Sequence, residues 1–224
     1  MKKINWTNNT DVRLGFEVEC IIRKGSNYTQ FENAIRPLRE KLSIGDDGSI
    51  THGVDYNPIE IRTRPLPPKD AIILLKVIFD IVNKYGLTNT SCGFHVNISS
   101  AHRTKMRKFN PIPFLSSNLW NEILRKFARG NNIYCRPVLT MERRRISQVS
   151  VFKSLGGAIN DKYKCVTLCN FGSGLDKSSR VEIRGFGNKD YTQKFDTIVG
   201  FVKRIERLFK LSCNNIPLTR NFSV

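Results

Sequence analysis

Acidic residues are scarce in this chain: 19 Asp and Glu stand against 37 Lys and Arg in 224 residues, a formal net charge of +18. Such a surplus disfavours basic partners and favours polyanionic ones, whether nucleic acid, nucleotide phosphates or acidic polymers, or else gives a generally cationic surface. Long apolar runs are also missing. None reaches the about 20 residues that a bilayer-spanning helix needs, and the opening stretch M-K-K-I-N-W-T-N-N-T lacks the apolar core of a secretory signal. The expectation is a soluble, cytoplasmic protein without membrane partners. No C-x-x-C pair occurs. Cys20, Cys92, Cys135, Cys165, Cys169 and Cys213 sit mostly inside apolar runs, where a reduced thiol behaves as a small hydrophobe, so free core thiols are expected rather than disulfides or a zinc site. There is no internal repeat, low-complexity tract or linker longer than a turn cluster, and with 40% hydrophobic and 10% aromatic residues the chain suits one well-cored domain over residues 1–224.

What acid there is falls in telling places. Arg13 to Ile22 reads R-L-G-F-E-V-E-C-I-I. Side chains alternate along a strand, so Leu14, Phe16, Val18, Cys20 and Ile22 share one face while Glu17 and Glu19 share the other. Carboxylates two apart on a strand lie roughly 6 to 7 Å from each other; they are either the solvated side of the strand or a pair that calls for a cation. Pro58 to Arg64 alternates likewise, with Ile59, Ile61 and Thr63 opposite Glu60 and Arg62, and P-L-P-P stops it. In Ser91 to Ser100, Phe94, Val96 and Ile98 oppose His95 and Asn97. Lys162 to Asn170 and Ser179 to Phe186 supply two further strands, the second placing Val181 and Ile183 against Glu182 and Arg184.

Helices are expected between these strands. Phe31, Ile35, Leu38 and Leu42 make one stripe over Tyr28 to Leu42, which Pro37 must bend or divide. G-D-D-G-S-I then reads as a turn that opens a strand, leaving Asp47 either a turn residue or a site residue at a strand mouth. Asp70 to Tyr85 is a strong amphipathic helix ending at Gly86, Leu115 to Arg129 is helical, Asn131 to Leu139 is extended or loop, and Thr192 to Cys213 closes the chain as an amphipathic helix. The pattern defines an α+β protein whose sheet has one apolar face covered by helices and one polar face left for chemistry. That polar face collects Glu17, Glu19, Glu60, His95, Asn97, Glu182 and Arg184, with Lys162 or Lys164 nearby. Four carboxylates and an imidazole suit hard cations such as Mg²⁺ or Mn²⁺, and Arg and Lys then meet phosphate oxygens.

G-F-E-V-E, D-G-S-I with E-I-R-T-R-P, C-G-F-H-V-N, R-G-N-N-I-Y-C-R-P, K-Y-K-C-V-T-L and V-E-I-R-G-F occur in the order and rough spacing of the amidoligase family, which the chain resembles over roughly Arg13 to Phe186. Those enzymes are ATP-dependent carboxylate-amine ligases of the glutamine synthetase and glutamate-cysteine ligase superfamily. The resemblance implies a curved, mainly antiparallel sheet of the glutamine synthetase catalytic-domain type, helices on its outer face, with ATP and metal ions held in the open funnel. It implies Glu17, Glu19, Glu60, His95 and Glu182 as metal ligands. His95 and Asn97, with Arg184, Lys162 and Arg129, would lie near the nucleotide, and Arg184, Asp47 and Lys162 would act in catalysis. Two positions depart from the family pattern: H-V-N stands where the family usually reads H-V-H, and Thr167 stands where an Asn usually follows K-Y-x-x-V.

The implied reaction transfers the γ-phosphoryl group of ATP to a carboxylate, and an amine or ammonia then displaces phosphate to form an amide. The carboxylate partner is a free amino acid, a peptide or a protein side chain. Two other readings of the same residues are a basic nucleic-acid-binding protein with structural acids, and a two-metal nuclease or phosphatase.

Overall fold

The structure, a computed structural model, describes residues 11–115, 117–136, 163–170 and 179–214. Strand β1 (Val12–Arg23) is the spine. It pairs antiparallel with β3 (Tyr56–Thr63) along one edge and with β5 (Gly93–Ser100) along the other. β2 (Leu42–Asp46) extends the sheet beyond β3, and β7 (Arg180–Gly187) and β6 (Val166–Cys169) extend it beyond β5, giving the order β2-β3-β1-β5-β7-β6. The two-residue β4 (Gly86–Leu87) joins β1 at Ile21 and Ile22. The result is an α+β protein with an open, mostly antiparallel sheet.

The inward row of each strand is apolar. Phe16, Val18, Ile59, Ile61, Phe94, Val96, Val181 and Ile183 are all buried. Against them pack α1 (Ser26–Ile35), α2 (Pro68–Tyr85) and α6 (Phe195–Cys213), whose stripes of Phe31 and Ile35, of Leu75, Ile78, Phe79 and Val82, and of Ile198, Val202, Ile205 and Phe209 join the same core. Three short helices, α3 (Arg103–Arg107), α4 (Pro111–Leu115) and α5 (Leu119–Lys126), close the far end, where Phe109, Phe114 and Phe209 meet ring to ring. The six cysteines are free, and five of them are buried.

Several boundaries differ from the sequence reading. The first helix stops at Ile35 and continues only as a 3-10 turn, Arg36–Leu38, with Pro37 inside it. Leu42, placed above on the helical stripe, begins β2, so the strand precedes the D-D-G turn rather than following it. The expected helix over Leu115 to Arg129 is shortened to α5, with Leu115 instead closing α4, and the last helix begins at Phe195 after a 3-10 turn, Tyr191–Gln193. Gly86 does end α2, but for a reason other than a left-handed turn: its backbone is extended, and an added Cβ would sit 2.3 Å from Ile22 Cδ1 and 2.8 Å from the Ile21 carbonyl oxygen. Glycine is needed there because β4 presses directly against β1.

Candidate active site

Register, more than proximity in sequence, assembles the polar face. Glu19 lies opposite Glu60 across β1 and β3, and Glu17 opposite Arg62. On the other edge of β1, Glu17 lies opposite His95. Asn97 then pairs with Glu182, and Glu182 with Thr167, across β5, β7 and β6. Cross-strand partners share a face with Cβ atoms about 5 Å apart, so five strands bring their polar residues together. Gly45 of β2 stands opposite Glu60, and an added Cβ there would meet Arg62 Nη1 at 3.7 Å.

The cleft has a volume of about 310 Å³, and its walls include Glu17, Glu19, Asp47, Glu60, His95 and Arg184. His95 Nδ1 lies 2.9 Å from Glu17 Oε2. An ionised carboxylate only accepts, so that nitrogen carries the proton and donates it. Nε2 then faces Glu19 Oε1 at 3.5 Å. Glu19 Oε2 accepts the Gly93 N–H at 2.5 Å, and a Cβ at position 93 would fall 2.9 Å from His95 Nε2 and 3.0 Å from Glu19 Oε1. Only glycine lets the backbone approach this closely. From the core side, Tyr191 donates its hydroxyl to the Glu19 carbonyl at 2.8 Å, bracing β1 directly under the acids.

Charge compensation inside the cluster is uneven. Burial alone would push the Glu17 carboxyl up, but the His95 hydrogen bond and charge, the Asn97 amide and the Arg180 charge together hold it down at about 2. Glu60 goes the other way. Burial and the neighbouring Glu17 charge raise it to about 7, with Arg62 only partly offsetting them. His95 is lowered by its own burial, yet the Glu17 bond and the nearby acids leave it above its ordinary value. One acid in the cluster is thus held ionised while its neighbour resists ionisation, which is the state expected of a site short of positive charge.

Among the described residues, two sets of three ligand atoms each lie within 4.8 Å of one another: Glu17, Glu60 and His95, and Glu19, Asp47 and Glu60. Oxygen-rich donors of this kind fit a hard divalent cation of the Mg²⁺ or Mn²⁺ type, and Glu60 is common to both sets. Asp47 is a turn residue and a cleft residue at once: its Oδ1 accepts the Ser49 N–H at 2.9 Å while its carboxylate faces the cleft. Glu182 is in neither set. Its oxygens meet Arg184, Arg180 at 3.6 Å, the Cys169 thiol at 3.3 Å and His95 Nδ1 at 3.6 Å.

The basic candidates divide. Arg184 lines the cleft, held by Glu182 and by the Tyr134 carbonyl, which accepts its Nε–H at 3.4 Å. Arg129 reaches the cleft wall but is buried and spends its guanidinium on structure, donating to the Cys92 carbonyl at 2.9 Å and to Cys135 Sγ at 3.2 Å. Lys164 is buried at the parallel bridge between its backbone and that of Arg136. Lys162 lies outside the described residues. Three further residues, beyond the sequence candidates, join the face. Arg62 pairs with Glu60, Arg180 donates its Nε–H to Asn97 at 2.7 Å, and Cys169 donates to Glu182. Alternation on β3 already set Arg62 beside Glu60, and spacing of two set Arg180 beside Glu182; Cys169 depends on the β6–β7 register, which no local pattern reveals.

Fold and face together define an α+β protein with an acid-lined, arginine-flanked cleft on an open antiparallel sheet. No protein-family model matches the chain, and no curated protein matches it in sequence. Among solved structures, it is similar to glutamine synthetase from Plasmodium falciparum, with a TM-score of 0.43 and 13% identity, over 89% of this chain and 52% of that one. The chain thus spans about half the length of that enzyme.

Proposed function

We propose that the chain is an ATP-dependent carboxylate-amine ligase of the amidoligase kind, forming an amide or isopeptide bond through an acyl phosphate. The observation that carries this reading is the meeting of Glu17, Glu19, Glu60 and His95 in one cleft with Arg184 and Arg62 on its walls. Acids gathered this closely repel a triphosphate unless cations intervene, and arginines beside them suit the transferred phosphoryl oxygens. Glu17, Glu19, Glu60 and His95 would hold Mg²⁺ or Mn²⁺. Bound there, such an ion supplies neutralisation of the β- and γ-phosphate oxygens.

The chain's own groups then divide the work. Arg184, aimed by Glu182 and the Tyr134 carbonyl, offers its planar fork to the phosphoryl group as it moves from ATP to the substrate carboxylate. The products of that step are ADP and an acyl phosphate. An amine attacks the acyl carbon, phosphate leaves, and Asp47 at the rim receives the amine's proton. The reaction requires water to be kept from the acyl phosphate, which it would hydrolyse.

The test is incubation with Mg²⁺, ATP and a panel of glutamate-containing acceptors and amines, following ADP release and acceptor mass. A mass gain equal to the amine less water, lost in Glu17→Ala, is the expected result. One feature favours a second reading: Glu60 is shared by both ligand sets, as a bridging carboxylate is in two-metal phosphoester hydrolysis. Metal-dependent cleavage of a phosphoester with no acceptor mass gain would select it.

A further inference from the structure

We propose that Arg180 and Asn97 are positioning residues that fix the cation-facing side of Glu17, an inference resting on the metal-dependent reading above. Arg180 Nε donates to Asn97 Oδ1 at 2.7 Å, Asn97 Nδ2 donates to Glu17 Oε1 at 3.0 Å, and His95 Nδ1 donates to Glu17 Oε2 at 2.9 Å. The register makes this path: Asn97 stands opposite Glu182 across β5 and β7, and Arg180 lies two residues before Glu182 on the same face of β7.

A carboxylate has about four lone-pair sites, two on each oxygen. Asn97 takes one on Oε1 and His95 takes one on Oε2, so the remaining pair, one per oxygen, is set before a cation arrives. The amide can do this only in one orientation. Rotated by half a turn, Asn97 would set its carbonyl oxygen against Glu17 and its N–H groups against a guanidinium, and both contacts would repel. Arg180 selects the correct orientation by occupying the carbonyl. Groups that orient a metal ligand from behind commonly contribute 10- to 100-fold to metal affinity.

This relay has a sign that separates it from simple electrostatics. Arg180 is a cation close to the acids, so by charge alone its removal tightens binding of a divalent ion. Acting through Asn97, its removal weakens binding instead. The experiment is Mn²⁺ titration of the full chain by electron paramagnetic resonance for the parent, Asn97→Leu, Arg180→Met and the double variant, with thermal melts of each. Asn97→Leu weakens Mn²⁺ binding about ten-fold or more. Arg180→Met weakens it about three-fold or more in the parent background, and leaves it unchanged or tighter once Asn97 is Leu. Should Asn97→Leu not fold, Asn97→Ser carries the same cycle. Tighter Mn²⁺ binding by Arg180→Met in the parent background, additive effects, or lowered melting temperatures with unchanged affinities overturn the relay while sparing the metal reading. A parent chain that binds no Mn²⁺ overturns both.

Discussion

Phe94 and His95 are neighbours on β5, and each is the hub of one face of the sheet. Phe94 packs against four rings, Phe16, Phe79, Phe186 and Tyr191, with centroids 5.6 to 5.8 Å away. His95 meets three carboxylates, those of Glu17, Glu19 and Glu182. Both residues are buried. The aromatic face gains free energy simply from being dry and well packed. The polar face is buried against its own electrostatics and is satisfied where an arginine, the His95 imidazole, an amide, the Cys169 thiol or a backbone N–H reaches an acid. Stability therefore belongs mainly to one side of the sheet and the buried titratable groups to the other, although the same backbone carries both.

The sharpest way to break this division is Phe94→Ala, expected to cost about 3–5 kcal/mol in urea unfolding through loss of area and the cavity left behind. A loss as large from His95→Gln would show that the polar face also supports the fold. Next comes Gly93→Ala, where the new methyl must displace His95 or Glu19; about 1–3 kcal/mol of stability is expected to go, with Mn²⁺ binding lost alongside. That double loss would mark a place where backbone packing and the acid cluster are coupled.

Smaller in stability but definite in sign is the effect of pH. Glu60, raised to about 7, binds a proton more tightly folded than unfolded, so its contribution is full below its ordinary value of 4.5 and is lost as pH rises through about 7. Glu17, held at about 2, contributes stability above 4.5 that is lost as pH falls towards 2. Glu60→Gln should abolish the downward slope of unfolding free energy between pH 4.5 and 7 seen in parallel denaturation series. In the parent, Mn²⁺ affinity should climb as pH passes 7 and Glu60 gives up its proton, with proton release measurable by calorimetry in buffers of different ionisation enthalpy. The smallest effect is on the outer surface. Arg39→Ala removes the exposed pair with Glu32 and should change stability by less than about 1 kcal/mol.

Strand alternation carried most of what could be read beforehand. Each of Glu17, Glu19, Glu60, His95 and Glu182 follows from a period of two beside apolar partners that are buried in the structure. β2 is hidden in the sequence because L-S-I-G-D buries only Leu42 fully and so lacks the alternation that marks a strand. Arg36 keeps helical dihedrals, but Pro37 has no N–H to donate to a carbonyl one turn back, and the α-helix gives way to the 3-10 turn Arg36–Leu38. Pairing was not legible at all. That Glu19 faces Glu60, that Asn97 links Arg180 to Glu17, and that Cys169 touches Glu182 are properties of register, fixed by contacts between strands many residues apart.

Between Phe94 and Val96 the β5–β7 register slips, so that Arg184 and Gly185 together stand against His95 alone. Ile183 still pairs with Val96 and Phe186 with Phe94. The slip acts as a phase shifter. Before it, even-numbered side chains of β7 point to the cleft; after it, an even-numbered residue, Phe186, points to the aromatic hub. A single strand can thereby deliver an acid and an arginine to one side and still lock its end into the oily layer. Straightening this slip with every residue kept would force a choice, turning either Arg184 away from the cleft or Phe186 out into water.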